Sequence, residues 1–201
     1  MTRVDVKTIE IDAEDRMRAD LYGLLSRVLF SRPDQSQLAH LSALSGDDSD
    51  MGRAFNALAK VASATASDVA GEEYDGLFIG MGRGELLPYG SYYLTGFLNE
   101  KPLAKLRNSM GELGIKRQDD VKEPEDHIGS LMEMMSNLIV GNYGEPATMA
   151  VQREFFAAHI EPWAGHFFKD LEAAELSRLY QPVGAIGRLF VEIETRAFSM
   201  D

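Results

Sequence analysis

Cysteine is absent from the 201-residue chain, which excludes disulfides and thiolate-held zinc or iron–sulfur sites. No apolar run approaches the ~18 residues of a helix that spans a bilayer. Met1–Glu14 is charged and has no apolar core, so it does not read as a secretory leader. Basic residues are in the minority, with 20 Lys and Arg against 32 Asp and Glu and a net charge of −12. That balance argues against nucleic acid, whose phosphates need clustered cations, and for basic partners. Cytoplasm is the expected compartment.

Signatures of catalysis are missing as well. No Gly-x-Ser-x-Gly elbow occurs, and no cysteine nucleophile exists. Glu123 and His127 stand at i, i+4, but no second pair at ligand spacing joins them, and Pro162 separates His159 from His166. A metal site is therefore not expected. Gly80-Met81-Gly82-Arg83-Gly84 has alternating glycines, yet no Gly-Lys-Ser/Thr follows and no strand precedes. The stretch reads instead as a hinge, because glycine absorbs large φ/ψ changes at least cost. No segment alternates at period two long enough to make a strand.

What the chain does have is helical periodicity. Glu123–Met135 anchors it. Pro124 fits a first turn, and Glu123, Glu125 and Asp126 put negative charge at the helix's positive end. Ile128, Leu131, Met132, Met135, Leu138 and Ile139 form one apolar stripe, which Gly141 stops. His127 lies at the edge of the stripe beside Asp126. It suits recognition or proton handling, or else a half-buried ring satisfied by a carboxylate or carbonyl; spacing alone favours the second.

Met1–Ile11 has no period and reads as a loose tail. A helix is predicted over Asp12–Phe30, capped by Asp12, with Met17, Leu21, Leu24, Leu25, Val28 and Leu29 inward and Tyr22 a boundary aromatic. Further helices are predicted at Asp34–Ser45, Met51–Ala66 and Ser67–Ile79. Leu87–Leu94 is dense in tyrosine, and Pro88 and Gly90 forbid a long helix there. It reads as core-plugging aromatics or as the edge of an aromatic groove. Lys101–Leu113 is helical and ends near Gly114. Asp119, Asp120, Glu123, Glu125 and Asp126 then crowd together, as a solvated face or as a receptor for an arginine-rich peptide. Helices at Glu145–Ile160, Trp163–Ala174 and Tyr180–Phe198 close the chain, with Ile193 inward and Trp163 in the core.

The expectation is one all-α domain of eight or nine helices over 1–201. A hinge near 80–90 would separate an N-terminal lobe, 11–79, from a C-terminal lobe, 101–201, with 80–100 as hinge and groove loop. Two functions fit. One is a binding chaperone whose groove takes an amphipathic peptide, to which Met132, Met134 and Met135 would adapt. The other is a small-molecule binder that takes a nucleotide or molybdenum cofactor at Asp126, His127 and the glycine loop.

Glu123-Pro124-Glu125-Asp126-His127-Ile128 resembles the signature of the TorD/DmsD/NarJ-type redox-enzyme maturation chaperones. Glu73-Tyr74-Asp75-Gly76-Leu77-Phe78 is similar to that family's Glu-Tyr-x-x-Leu-Phe pattern. Pro88, Ser91, Tyr93 and Leu94 are similar to its Pro-x-x-Ser-x-Tyr-Leu pattern. His159, Trp163 and Phe167-Phe168 resemble its C-terminal pattern, so the likeness runs from about Arg18 to Phe190. It implies a TorD-like all-α fold and a cytoplasmic, non-enzymatic chaperone. Such a chaperone binds the twin-arginine signal peptide of an apo-molybdoenzyme and delays export until the cofactor is inserted. It implies a peptide site at Leu77, Phe78, Pro88, Tyr92, Glu123, Pro124, Asp126 and His127. No resident cofactor is implied, although some relatives bind GTP weakly. A monomer or a domain-swapped dimer is compatible with it, and no membrane insertion is expected. Formate dehydrogenases, sulfoxide or N-oxide reductases and nitrate reductases are all possible clients.

Overall fold

The computed structural model describes residues 11–80, 82–117 and 122–200. The N-terminal tail, Met81 of the glycine loop and the acids Asp119 and Asp120 lie outside the described residues. Among the described residues the chain forms ten α-helices and one π-helical turn, with no strand. In order they are α1 Ala13–Phe30, α2 Gln35–Ser42, α3 Asp50–Ala64 and α4 Ser67–Tyr74, which runs into the π-turn Asp75–Ile79. Then come α5 Gly90–Thr95, α6 Lys101–Glu112, α7 Ile128–Val140, α8 Met149–His159, α9 Ala164–Ala173 and α10 Tyr180–Met200. The helix beyond the expected nine is α5, a short turn stopped by Gly96 in the left-handed region.

The helix starts follow the capping residues. Asp12, Asp34, Ser49 and Thr148 each accept the N–H three residues on, which satisfies a donor the helix itself leaves free. At α7 the expectation is corrected. The helix begins at Ile128, and Pro124 precedes it by a turn instead of sitting in it. The Ile128 N–H is taken by the Pro88 carbonyl at 2.8 Å, and extended His127 caps the helix. A tertiary hydrogen bond thus replaces the first helical turn.

The middle of the molecule is α1 packed on α7, while α10 packs on α9 and α3. α9 and α10 approach closely because Gly184 and Gly187 carry no Cβ. A methyl group there would stand 2.6 Å from the Glu172 nitrogen and 2.2 Å from the Phe168 ring. Trp163, Tyr180, Phe156, Phe167 and Phe168 fill the interior.

The buried face of α1 is rotated from the one the stripe suggests. Met17 is 66% exposed, and fully buried Tyr22 is central to the face. The cause is polar. Buried Glu194 on α10 accepts from Arg18 through both oxygens, at 2.9 Å each, and from the Tyr22 hydroxyl at 2.8 Å. Arg18 also reaches Asp15 at 2.6 Å and Gln152 of α8 at 3.0 Å. Turning α10 to bring Glu194 inward leaves its neighbour Ile193 50% exposed, against the inward expectation.

Glu194→Ala leaves the half-buried Arg18 guanidinium with only Asp15 and Gln152 and the buried Tyr22 hydroxyl without its acceptor, and is expected to lower stability by about 3 kcal/mol. The exposed partner of Arg188, Glu192, should cost at most about 1 kcal/mol when replaced by Ala. Urea denaturation of both variants measures this, and equal losses would remove Glu194 as an anchor.

Candidate functional site

The motif at 123–128 acts first as a clasp. Gly90 N–H donates to the Asp126 carbonyl at 2.9 Å, and Ser91 N–H to the Asp126 carboxylate at 2.7 Å. With the Ile128–Pro88 bond, these fix the entry to α5 against the start of α7. The Tyr89 hydroxyl donates to Glu123 Oε2 at 2.5 Å, and burial, then Glu123 itself, pushes that phenol's pKa up. Tyr74 is raised to about 12, chiefly by burial and next by Glu123. Gly90 rests on the Trp163 indole, where a Cβ would meet Nε1 at 3.0 Å.

His127 is 4% exposed. Its Nδ1 accepts the Gly129 N–H at 3.1 Å, so neither a carboxylate nor a carbonyl satisfies that nitrogen, contrary to expectation. Phe30 and Tyr89 meet the ring edge-on at 5.5 and 5.3 Å. Burial pushes its pKa down to about 4, so the ring is neutral near pH 7 and able to accept as a cap.

Beside this clasp opens a cleft of about 640 Å³ between α1–α2, the end of α6 and α7. Leu24, Val28, Leu41, Met110, Ile115 and Met134 give it apolar walls. Asp34, Glu123, Glu125 and Glu133 line it with acid, and Arg27, Lys116 and Arg117 with base. Glu125 is spoken for: Arg107 binds it at 2.8 Å and Arg117 lies at 3.8 Å. Burial is the largest influence and would raise its pKa, but the Arg107 hydrogen bond, a backbone hydrogen bond and the charges of Arg107 and Arg117 together outweigh it and hold it below the usual range.

Of the residues implied by resemblance, Pro88, Glu123, Pro124, Asp126 and His127 meet at the clasp. Only Glu123 among them lines the cleft. Leu77 and Phe78 belong to the π-turn and are buried, Phe78 packing edge-on against Tyr74 and Tyr180. Tyr92 sits apart, its hydroxyl accepting from Arg83 at 2.7 Å. The motif residue Glu73 caps α10 from a distance, accepting from the N–H groups of Arg178, Leu179 and Tyr180 at 2.7, 3.1 and 3.0 Å. The residues after the glycine loop hold to the π-turn and to the segment before α10: Leu86 N–H donates to the Leu77 carbonyl at 2.8 Å, and Glu85 accepts from the N–H groups of Glu175 and Leu176. Ser91 stands in the family-like pattern and Tyr89 in the aromatic stretch, but neither carried an expected site role, and nothing in the sequence marked the α1–α2 wall. The tyrosine density of Leu87–Leu94 was the signal for Tyr89.

A profile described as nitrate reductase delta subunit matches residues 45–169, more than half of the chain. The chain belongs to that family, the TorD/NarJ group. Among proteins similar to this TorD/NarJ-family chain is the chaperone protein TorD of Vibrio cholerae, 24% identical over 91% of this chain and 92% of that protein. TorD of Vibrio atlanticus is 25% identical over 92% and 95%. The probable Tat proofreading chaperone DmsD of Haemophilus influenzae is 33% identical over 57% and 55%. A crystal structure from Archaeoglobus fulgidus, of a protein assigned to redox enzyme maturation, covers 92% of this chain and 99% of its own. It has a TM-score of 0.59 at 23% identity and supports the TorD-like all-α fold. The TorD and DmsD names are those of chaperones, not of catalytic enzymes. No described helix is long and apolar enough to cross a membrane.

The clasp makes a pH prediction. His127 titrates lower in the folded chain than in the unfolded one, near 6.5. Between pH ~6.5 and ~4 the unfolded state therefore binds the proton first. Stability is complete above that window and falls with pH by about 1.4 kcal/mol per unit for each such ring. His159, also pushed down to about 4 by burial and then by Lys105, adds a second. His127→Asn keeps a capping acceptor and should remove one ring's share of the slope, read by urea midpoints from pH 4 to 7. Identical slopes in both proteins would contradict the assignment.

Proposed function

We propose that this chain is a cytoplasmic maturation chaperone for a molybdenum-containing oxidoreductase, and that it binds the twin-arginine signal peptide of the apo-enzyme. The single observation that carries the reading is the cleft, which joins apolar walls to the acid of the family's own motif, Glu123. A signal peptide has the matching order of groups, a basic end followed by an apolar segment that can form a helix. The apolar part would lie on Met134, Leu41 and their neighbours as a helix in a groove. The basic end would meet Glu123, whose carboxylate offers a guanidinium the bidentate partner that an ammonium cannot use. Asp126 and His127, both buried, would act by holding Glu123 in place.

Arg27, Lys116 and Arg117 on the same walls support a second reading, an anionic small molecule such as GTP or a molybdenum cofactor. Calorimetric titration separates the two. The peptide should bind with an affinity that falls with salt to a plateau, because charge pairs are screened over about 8 Å at physiological ionic strength and apolar contact is not. Glu123→Gln should weaken the twin-arginine peptide by roughly 1–3 kcal/mol and a twin-lysine peptide by less. Tight GTP binding with no peptide binding would reverse the choice.

A further inference from the structure

We propose that Glu133 on α7 is the residue of this cleft that selects for a second adjacent arginine, a role that rests on the peptide-binding reading above. In an extended segment successive side chains point to opposite sides. Two neighbouring guanidinium groups therefore need two separate acids, and Glu123 supplies only one. The remaining acids can be taken in turn. Glu125 is already paired with Arg107 at 2.8 Å and with Arg117 at 3.8 Å. Asp126 is buried on the clasp, held by the Ser91 N–H at 2.7 Å. Asp34 caps α2, accepting the Gln37 N–H at 2.7 Å.

Glu133 differs from all three. It is exposed, it lines the cleft, and it makes no ion pair or hydrogen bond with any described residue. Its charge is nonetheless felt inside the cleft. It helps push up the pKa of half-buried Tyr143, after burial as the main cause and against the Asn137 hydrogen bond. It stands five residues after the start of α7, about 7.5 Å along the axis at the α-helical rise, beside Met134 of the apolar wall. Of the cations that line the cleft, Arg117 is engaged by Glu125, and neither Arg27 nor Lys116 pairs with Glu133. An unneutralised carboxylate beside an apolar wall fits the guanidinium of a segment that goes on to apolar residues.

The test is calorimetric titration of wild type and Glu133→Gln with three signal peptides: the twin-arginine form and the two forms in which one arginine or the other is glutamine. Glu133 has no partner to lose, so the variant should melt with the wild type, and a thermal scan checks that. Glu133→Gln should weaken the twin-arginine peptide about tenfold. It should leave unchanged the one single-arginine peptide that lacks the arginine Glu133 serves. Equal weakening of all three peptides would mean a diffuse charge effect and overturn the assignment. Wild-type affinity for all three in the variant would overturn it too, with peptide binding itself intact. Failure of wild type to bind any of the peptides would reject the peptide reading and this role with it, and is visible without the variant.

Discussion

The Ile128 N–H reaching the Pro88 carbonyl is the contact on which the rest depends. α7 is the central helix, packed along α1 and lined with methionine and leucine, and its first amides need partners from outside the helix. One is supplied by Pro88, one by the His127 ring, and the chain before them is locked by the Asp126 carbonyl and carboxylate to Gly90 and Ser91. A motif that looks like a set of binding residues is thus largely a joint. It fixes a loop more than thirty residues away to the end of the main helix, and this fixed geometry sets Glu123 on the edge of the cleft.

The joint explains why most of the motif is buried. A carboxylate that accepts a backbone N–H in the interior orders the loop it holds, and a neutral histidine can cap where a charged one cannot. The outward-facing acids do different work. Glu123, shared between the Tyr89 hydroxyl and the cleft, stands at the boundary of the two roles. The chain is acidic overall, yet few of the acids lining this cleft are uncommitted, so charge here is a matter of particular side chains and not of net balance.

Much of the fold was legible in the sequence. Asp12, Asp34 and Ser49 announce their helices, Gly141 ends the apolar stripe of α7, and the absence of period-two alternation leaves only helices. Two features misled for identifiable reasons. Met17 and Ile193 match an apolar stripe, but Arg18, Tyr22 and Glu194 turn both helices by burying a polar network between residues 176 positions apart. Pro124 and its acids look like a helix start, but a carbonyl from another loop takes the amide that would begin it. The cleft was the least legible part. Its α1–α2 wall lies about ninety residues before the motif, and periodicity carries no information on which helices will face each other across a gap.

On the proposed function, the ligand lies in the cleft between α1–α2 and α7. Site-specific photocrosslinking tests it most directly, with the reactive side chain placed at Asn137, on the cleft wall, or at Tyr92, outside it. Each variant would be mixed with the labelled twin-arginine signal peptide and then irradiated. A ligand in the cleft gives strong peptide capture at Asn137 and little at Tyr92. Capture at Tyr92 with none at Asn137 would contradict it and move the ligand to the other side of the clasp.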